Sequence, residues 1–246
     1  MSSIRSMAKH VLPQFAYTGL RNICYSRGVA FAQMMPGLAL AREVPYDFVR
    51  VSALELAARE IREHNVPGAA AELGVFKGEF ARIINLVFSC RPLYLFDTFE
   101  GFAPQDLAYD KERNYAAPAP GLFADTSIES VLAKMPFRER CVVKKGWFPA
   151  SADDCEDERF CFVSLDADLY GPIYEGLRFF WPRLNAGGYI FVHDYNNDEY
   201  RGAKKGVRQF CLEAGVGYTP LLDYCGTAVI AKSIGAPTPN LSGRTR

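Results

Sequence analysis

The sequence predicts a doubly wound α/β fold, a Rossmann-like sheet that is mostly parallel with one antiparallel strand in a C-terminal hairpin, plus an N-terminal helical cap. Three observations predict it. From Pro67 onward, short β-branched or aromatic runs alternate with longer amphipathic ones, as expected when helices cover both faces of a parallel sheet. Two buried-looking strands, 160–165 and 188–192, stop at ionisable residues. Near the C-terminus, Cys225-Gly226 separates two short strand-like runs, a hairpin that a purely parallel sheet has no place for.

The elements follow in order. Residues 1–65 show helical periodicity, clearest at Val51, Leu54, Leu56, Ala57 and Ile61, and are expected to form a cap packed on the same domain. The main domain is placed at 66–236 and a frayed tail at 237–246. Residues 70–76 read as the first strand, 79–88 as a helix and 93–99 as the second strand. Residues 101–125, with Pro104, Pro118 and Pro120, read as a long loop that is either a functional lid or locally disordered. A helix at 127–135 is entered through the cap candidates Asp125, Thr126 and Ser127, and a third strand follows at 141–148. Strand 160–165, helix 173–184 and strand 188–192 come next, then a helix at 202–214 and hairpin strands at 218–224 and 227–232.

Composition narrows the function classes. The 28 basic and 28 acidic residues cancel without forming long blocks, which argues against a nucleic-acid partner and for a small-molecule substrate. The seven cysteines form no C-x-x-C pair and several lie in apolar runs, so they are expected to be reduced, in a cytoplasmic protein. Pro13, Gln14, Arg21 and Arg27 interrupt any signal-peptide core, and the apolar run 28–40 is too short to span a bilayer, so no membrane association is expected. A homo-oligomer is left open.

Candidate site residues gather where strands end, because ligands of open α/β sheets bind beyond the carboxyl ends of the strands. Glu72 closes the first strand, and Gly74, Phe76 and Gly78 make the turn into the next helix. The segment lacks the G-x-G-x-x-G fingerprint of pyrophosphate binding, and an acid before the turn suits a cationic ligand. Asp97, followed by Thr98 and Phe99, ends the second strand at a spacing from Glu72 that suits an acceptor for two ribose hydroxyls. Asp166 and Asp168 on one strand end, and His193 and Asp194 on its neighbour, supply hard donors that suit Mg²⁺. For His193 three roles stay open: metal ligand, general base, or buried imidazole satisfied by a carbonyl. His10 and His64 are expected to face solvent, as are Lys204, Lys205 and Arg208.

Taken in order, Glu72-Leu73-Gly74-Val75-Phe76-Lys77-Gly78, Asp97-Thr98-Phe99-Glu100-Gly101-Phe102, Gly146-Trp147-Phe148, Asp166-Ala167-Asp168-Leu169-Tyr170 and His193-Asp194-Tyr195 resemble the macrocin-type O-methyltransferases. The similarity spans residues 66–232 and finds no counterpart in the helical N-terminal portion. The resemblance implies an S-adenosylmethionine-dependent O-methyltransferase of class I fold, with Mg²⁺ or Mn²⁺, acting on a sugar hydroxyl. It implies Glu72 and Gly74 along the cofactor, Asp97 on its ribose, and Ser127, Gly146 and Trp147 near its adenine. It makes Asp166 both ligand and candidate base, with His193 and Asp194 completing the metal set. Where that family's motif has two successive Asp, this chain has His193-Asp194, so the shell loses a carboxylate, gains a nitrogen, or is absent. Two alternatives remain: a nicotinamide-dependent oxidoreductase, and a non-catalytic S-adenosylmethionine-binding protein.

Overall fold

The computed structural model describes residues 47–119 and 121–235. The first 46 residues of the expected cap, His10 and the expected tail lie outside the described residues. Seven strands form one sheet in the order β3-β2-β1-β4-β5-β7-β6. β1 (Ala69–Leu73), β2 (Leu93–Asp97), β3 (Cys141–Lys145), β4 (Phe160–Leu165) and β5 (Leu184–Val192) are mutually parallel. β7 (Ala228–Ala231) inserts antiparallel between β5 and the short β6 (Thr219–Pro220). The mixed sheet is thus the one the C-terminal sequence signals required.

Two cores sandwich the sheet. On one face α1 (Phe48–Glu63), α2 (Glu79–Val87) and α4 (Ile128–Leu132) bury Val51, Leu54, Ile61, Ile84 and Val131 against Phe162 and Phe191. On the other, α5 (Tyr170–Arg183) and α6 (Arg201–Ala214) bury Ile173, Leu177, Phe180 and Val207 against Leu165 and Val192. The alternation of strand side chains between faces explains why Phe162 and Val163, neighbours in sequence, belong to different cores. No helix among the described residues is long and apolar enough to cross a membrane. Among those residues Cys155, Cys161 and Cys211 are buried, while Cys90 is exposed, so the apolar-run reading of the cysteines holds for some of them.

Several boundaries differ from the sequence expectation. β1 and β2 stop at Leu73 and Asp97 because the chain turns there, with Phe76 and Phe99 in left-handed backbone conformation. The expected loop 101–125 contains α3 (Pro104–Glu112), which starts with proline at its first turn and packs on α5. Buried Asp110 of α3 accepts from the Tyr170 N–H at 3.2 Å and so caps α5 from sixty residues away. The C-terminal hairpin is looser than expected, because β6 ends at Pro220 and residues 221–227 form the connection. Leu56, counted with the apolar stripe of α1, is exposed.

Candidate active site

Register brings the site together. Leu73 pairs with Leu165, and Leu165 with Val192, so the residues just beyond these strand ends lie side by side. The Asp166 N–H donates to the Leu73 carbonyl at 2.8 Å, and the His193 N–H to the Leu165 carbonyl at 2.9 Å. Gly74 lies so close to β4 that a Cβ there would sit 2.2 Å from the Asp166 carbonyl oxygen, at a φ of +87°. Only glycine allows that approach.

A cavity of about 740 Å³ opens above these ends. Of the residues nominated from sequence, Glu72, Gly74 and Phe76 line it from the exit of β1, and Asp97 and Thr98 from that of β2. Gly146 and Trp147 line it after β3, and Asp166, His193 and Asp194 after β4 and β5. Gly78, Phe99 and Ser127 do not line it. Gly78 is the left-handed residue entering α2, Phe99 is buried, and Ser127 forms a capping box with Ser130 at the start of α4.

The carboxylate of Asp97 holds the backbone around it. Its Oδ2 accepts from the Val75 and Phe76 N–H groups at 2.7 and 2.8 Å, and its Oδ1 from the Phe99 N–H at 2.7 Å. A carboxylate offers about four lone-pair positions, so beyond these three bonds Asp97 keeps about one, room for a single ligand hydroxyl rather than the two expected from sequence. Glu72 is different. It is buried in the cavity wall, its Oε2 has no hydrogen-bond partner, and burial first, then the charge of Asp166, push its carboxyl well above the usual range. A buried acid with one unpartnered oxygen at the cavity wall is an environment that an ammonium group would stabilise.

The sequence reading missed Arg50. This residue of α1 is 3% exposed and stands over the ends of β1 and β4. Its Nη1 donates to Asp166 Oδ2 at 2.9 Å and its Nη2 to Ser164 Oγ at 3.1 Å, while its guanidinium lies 3.6 Å from the centre of the Phe80 ring. Burial opposes its charge, but Asp166, Asp47 and Glu72 outweigh that and hold it protonated. No sequence signal pairs it with Asp166, since its position on α1 reads as one more polar residue between apolar ones.

His193 is bound on both sides. Its Nδ1 lies 3.0 Å from Asp166 Oδ1 and 2.9 Å from Asp194 Oδ2, and its Nε2 lies 2.9 Å from the Tyr224 carbonyl. A carbonyl can only accept, so Nε2 carries a proton, and two carboxylates facing Nδ1 place a second proton there. Burial works against this imidazolium, yet Asp166 raises its pKa well above the usual histidine value. In return His193, followed by Arg50, holds Asp166 ionised against the cost of its burial. Asp168, in left-handed conformation, is pushed well above its usual range by burial and then by Asp194.

The sequence profile of the macrocin-O-methyltransferase (TylF) family matches residues 46–229. The chain belongs to this family. It is an S-adenosylmethionine-dependent O-methyltransferase, which decides against the nicotinamide alternative. The match starts at residue 46 and takes in α1 with Arg50, so residues 46–65 of the N-terminal portion do have a counterpart in the family, where the sequence reading placed none. Among curated relatives, a tetracenomycin 4'-O-methyltransferase of Streptomyces olivaceus, named for a rhamnosyl substrate, is 25% identical over 80% of this chain and 77% of its own. The mycinamicin III 3''-O-methyltransferase of Micromonospora griseorubida is 27% identical over 59% of this chain and 62% of its own. The solved O-methyltransferase NovP superposes with a TM-score of 0.60 at 19% identity, covering 76% of this chain and 80% of that one, which shows a shared fold.

The family resemblance implied a divalent cation on Asp166, His193 and Asp194. Their ligand atoms lie within 4.8 Å of one another, near enough to share an ion. The donors are already committed, however. Asp166 receives His193 and Arg50, while Asp194 receives His193 on Oδ2 and Asn197 Nδ2 at 2.8 Å on Oδ1. None of the three side chains has an unpartnered buried atom. An ion would have to strip His193 of the Nδ1 proton and lie beside a guanidinium, so these residues as arranged do not fit Mg²⁺.

Trp147 offers a local probe of the same cavity. It is 41% exposed, and its Nε1 donates to Asp106 Oδ2 at 2.9 Å. Burial raises the Asp106 carboxyl from 3.8 to about 6, and the bond to Trp147 only partly opposes this. Indole fluorescence is therefore expected to titrate near pH 6, and Asp106→Asn should remove that transition. Since the folded state binds this proton more tightly than the unfolded one, the contribution of Asp106 to stability is full below pH 4 and lost as the pH rises through about 6. A flat fluorescence profile from pH 4 to 8 would contradict this.

Proposed function

We propose that the protein methylates a hydroxyl of a sugar or of a glycosylated small molecule. One observation carries the reading: the partnerless carboxyl oxygen of Glu72 and the carboxylate of Asp166 share one cavity. Glu72, Gly74 and Phe76 would hold the methionine end of the cofactor, Asp97 and Thr98 its ribose, and Gly146 and Trp147 its adenine. Bound S-adenosylmethionine supplies an electrophilic methyl group on a positively charged sulfur.

The remaining work falls to the chain's own residues. Asp166, fixed by Arg50 and His193, accepts a hydrogen bond from the acceptor hydroxyl and so aims the oxygen. An oxygen gaining a methyl group while it still holds its proton becomes far more acidic than a carboxylic acid. A weakly basic carboxylate therefore suffices to take the proton, provided that it is in place. His193 serves as the holder of Asp166 rather than as the first proton acceptor. Phe102, Phe123 and Tyr200 give the cavity an apolar wall of rings suited to the faces of a sugar ring. The rhamnosyl group in the tetracenomycin relative's name supports the same substrate class.

Calorimetric titration is expected to show S-adenosylhomocysteine binding and no NAD binding. Incubation of donor labelled in its methyl group with nucleotide-sugars and glycosylated metabolites should then move label to one of them. Binding of NAD without S-adenosylhomocysteine would sink the proposal.

A further inference from the structure

We propose that in this enzyme the side-chain cations Arg50 and His193 take the place of a divalent metal, so that methyl transfer proceeds without one. The inference rests on the methyl-transfer reading and on the geometry at the ends of β4 and β5. Two carboxyl groups, Asp166 and Asp194, meet two side-chain cations: Arg50 lies 2.9 Å from Asp166, and His193 lies 3.0 Å from Asp166 and 2.9 Å from Asp194. Each of the four carboxylate oxygens already accepts from a side chain, and the second nitrogen of His193 is spent on the Tyr224 carbonyl.

What a metal would supply is orientation and positive charge beside the reacting oxygen. Arg50 and His193 supply both through Asp166, each bound to a different oxygen of its carboxylate. The acceptor oxygen's lone pair forms the new O–C bond, the electron pair of the breaking C–S bond stays on sulfur, and the hydroxyl proton passes to Asp166. The sum of charges is unchanged and no oxidant or further reactant enters. Arg50 and His193 are positioning residues in this scheme, and Asp166 is the catalytic residue.

The test uses the full chain saturated with S-adenosylhomocysteine and titrated with Mn²⁺, free ion being read by electron paramagnetic resonance. Wild type is expected to leave the free Mn²⁺ signal undiminished through the micromolar range. With an acceptor in hand, its rate in EDTA should stay within about twofold of the rate in Mg²⁺. His193→Asp, which adds a third carboxylate to those of Asp166 and Asp194 and removes the competing cation, is expected to bind about one Mn²⁺ per chain. Stoichiometric micromolar Mn²⁺ binding by wild type, or a loss of about tenfold or more in EDTA that Mg²⁺ restores, overturns the proposal. So does a His193→Asp protein that binds S-adenosylhomocysteine but no Mn²⁺. Failure of S-adenosylhomocysteine to bind wild type would instead strike the methyl-transfer reading, and calorimetry without metal registers it separately.

Discussion

Asp166→Asn is expected to lower the methyl-transfer rate by about 10²- to 10⁴-fold while leaving S-adenosylhomocysteine binding measurable. The amide keeps the shape of the side chain and can still accept from one neighbour, but it can no longer take up the acceptor's proton. Glu72, Gly74 and Asp97 hang on β1 and β2, so the groups assigned to the cofactor remain in place. The separation of the two readouts is what matters: single-turnover rate falls, calorimetric affinity does not. A variant with wild-type turnover would remove Asp166 from the chemistry. A variant that lost both would mark it as structural.

Arg50→Met should have the largest effect on stability. The guanidinium is 3% exposed and compensates Asp166 from 2.9 Å, with Asp47 3.8 Å away. Removing one partner of a buried ion pair costs about 3–5 kcal/mol when the other is left alone; Asp166 keeps His193 at 3.0 Å, so a loss of about 3 kcal/mol is expected. For a chain of this size that corresponds to a fall of about 10 °C in Tm. Adding Asp166→Asn to Arg50→Met removes the charge that Arg50 compensated and is expected to recover part of the loss, which is the signature of a direct pair in a double-mutant cycle. Thermal melts by circular dichroism measure all four proteins. A single variant that melts with wild type, or a double variant that shows simple additivity, would dismiss the pairing.

Much of the site is legible in the sequence because strand ends announce themselves. An apolar run that stops at Asp166 or at His193-Asp194 must leave the core there, and the first turn shows its glycines at Gly74 and Gly78. The antiparallel strand was likewise written in the turn near Cys225-Gly226, although the strand before it ends sooner than its residues suggested. Helix α3 was also open to detection, since Pro104 at its first turn is a start signal, but its weak amphipathic pattern hid it among prolines. Asp97 was found for its place at the end of β2. Its bonds to the N–H groups of Val75, Phe76 and Phe99 were not, since backbone donors carry no residue type to read.

Local pattern by itself determined the alternating architecture, the order of its strands along the chain and the acids at their ends, because periodicity and turn chemistry act over a few residues. Tertiary structure alone decided which charges meet. Arg50 reaches Asp166 across 116 residues, Asp110 caps α5 across 60, and His193 is locked by a carbonyl 31 residues on. Those contacts follow from strand register and from how α1 lies over the sheet. Electrostatic interaction depends on distance in space, to which sequence separation gives no guide.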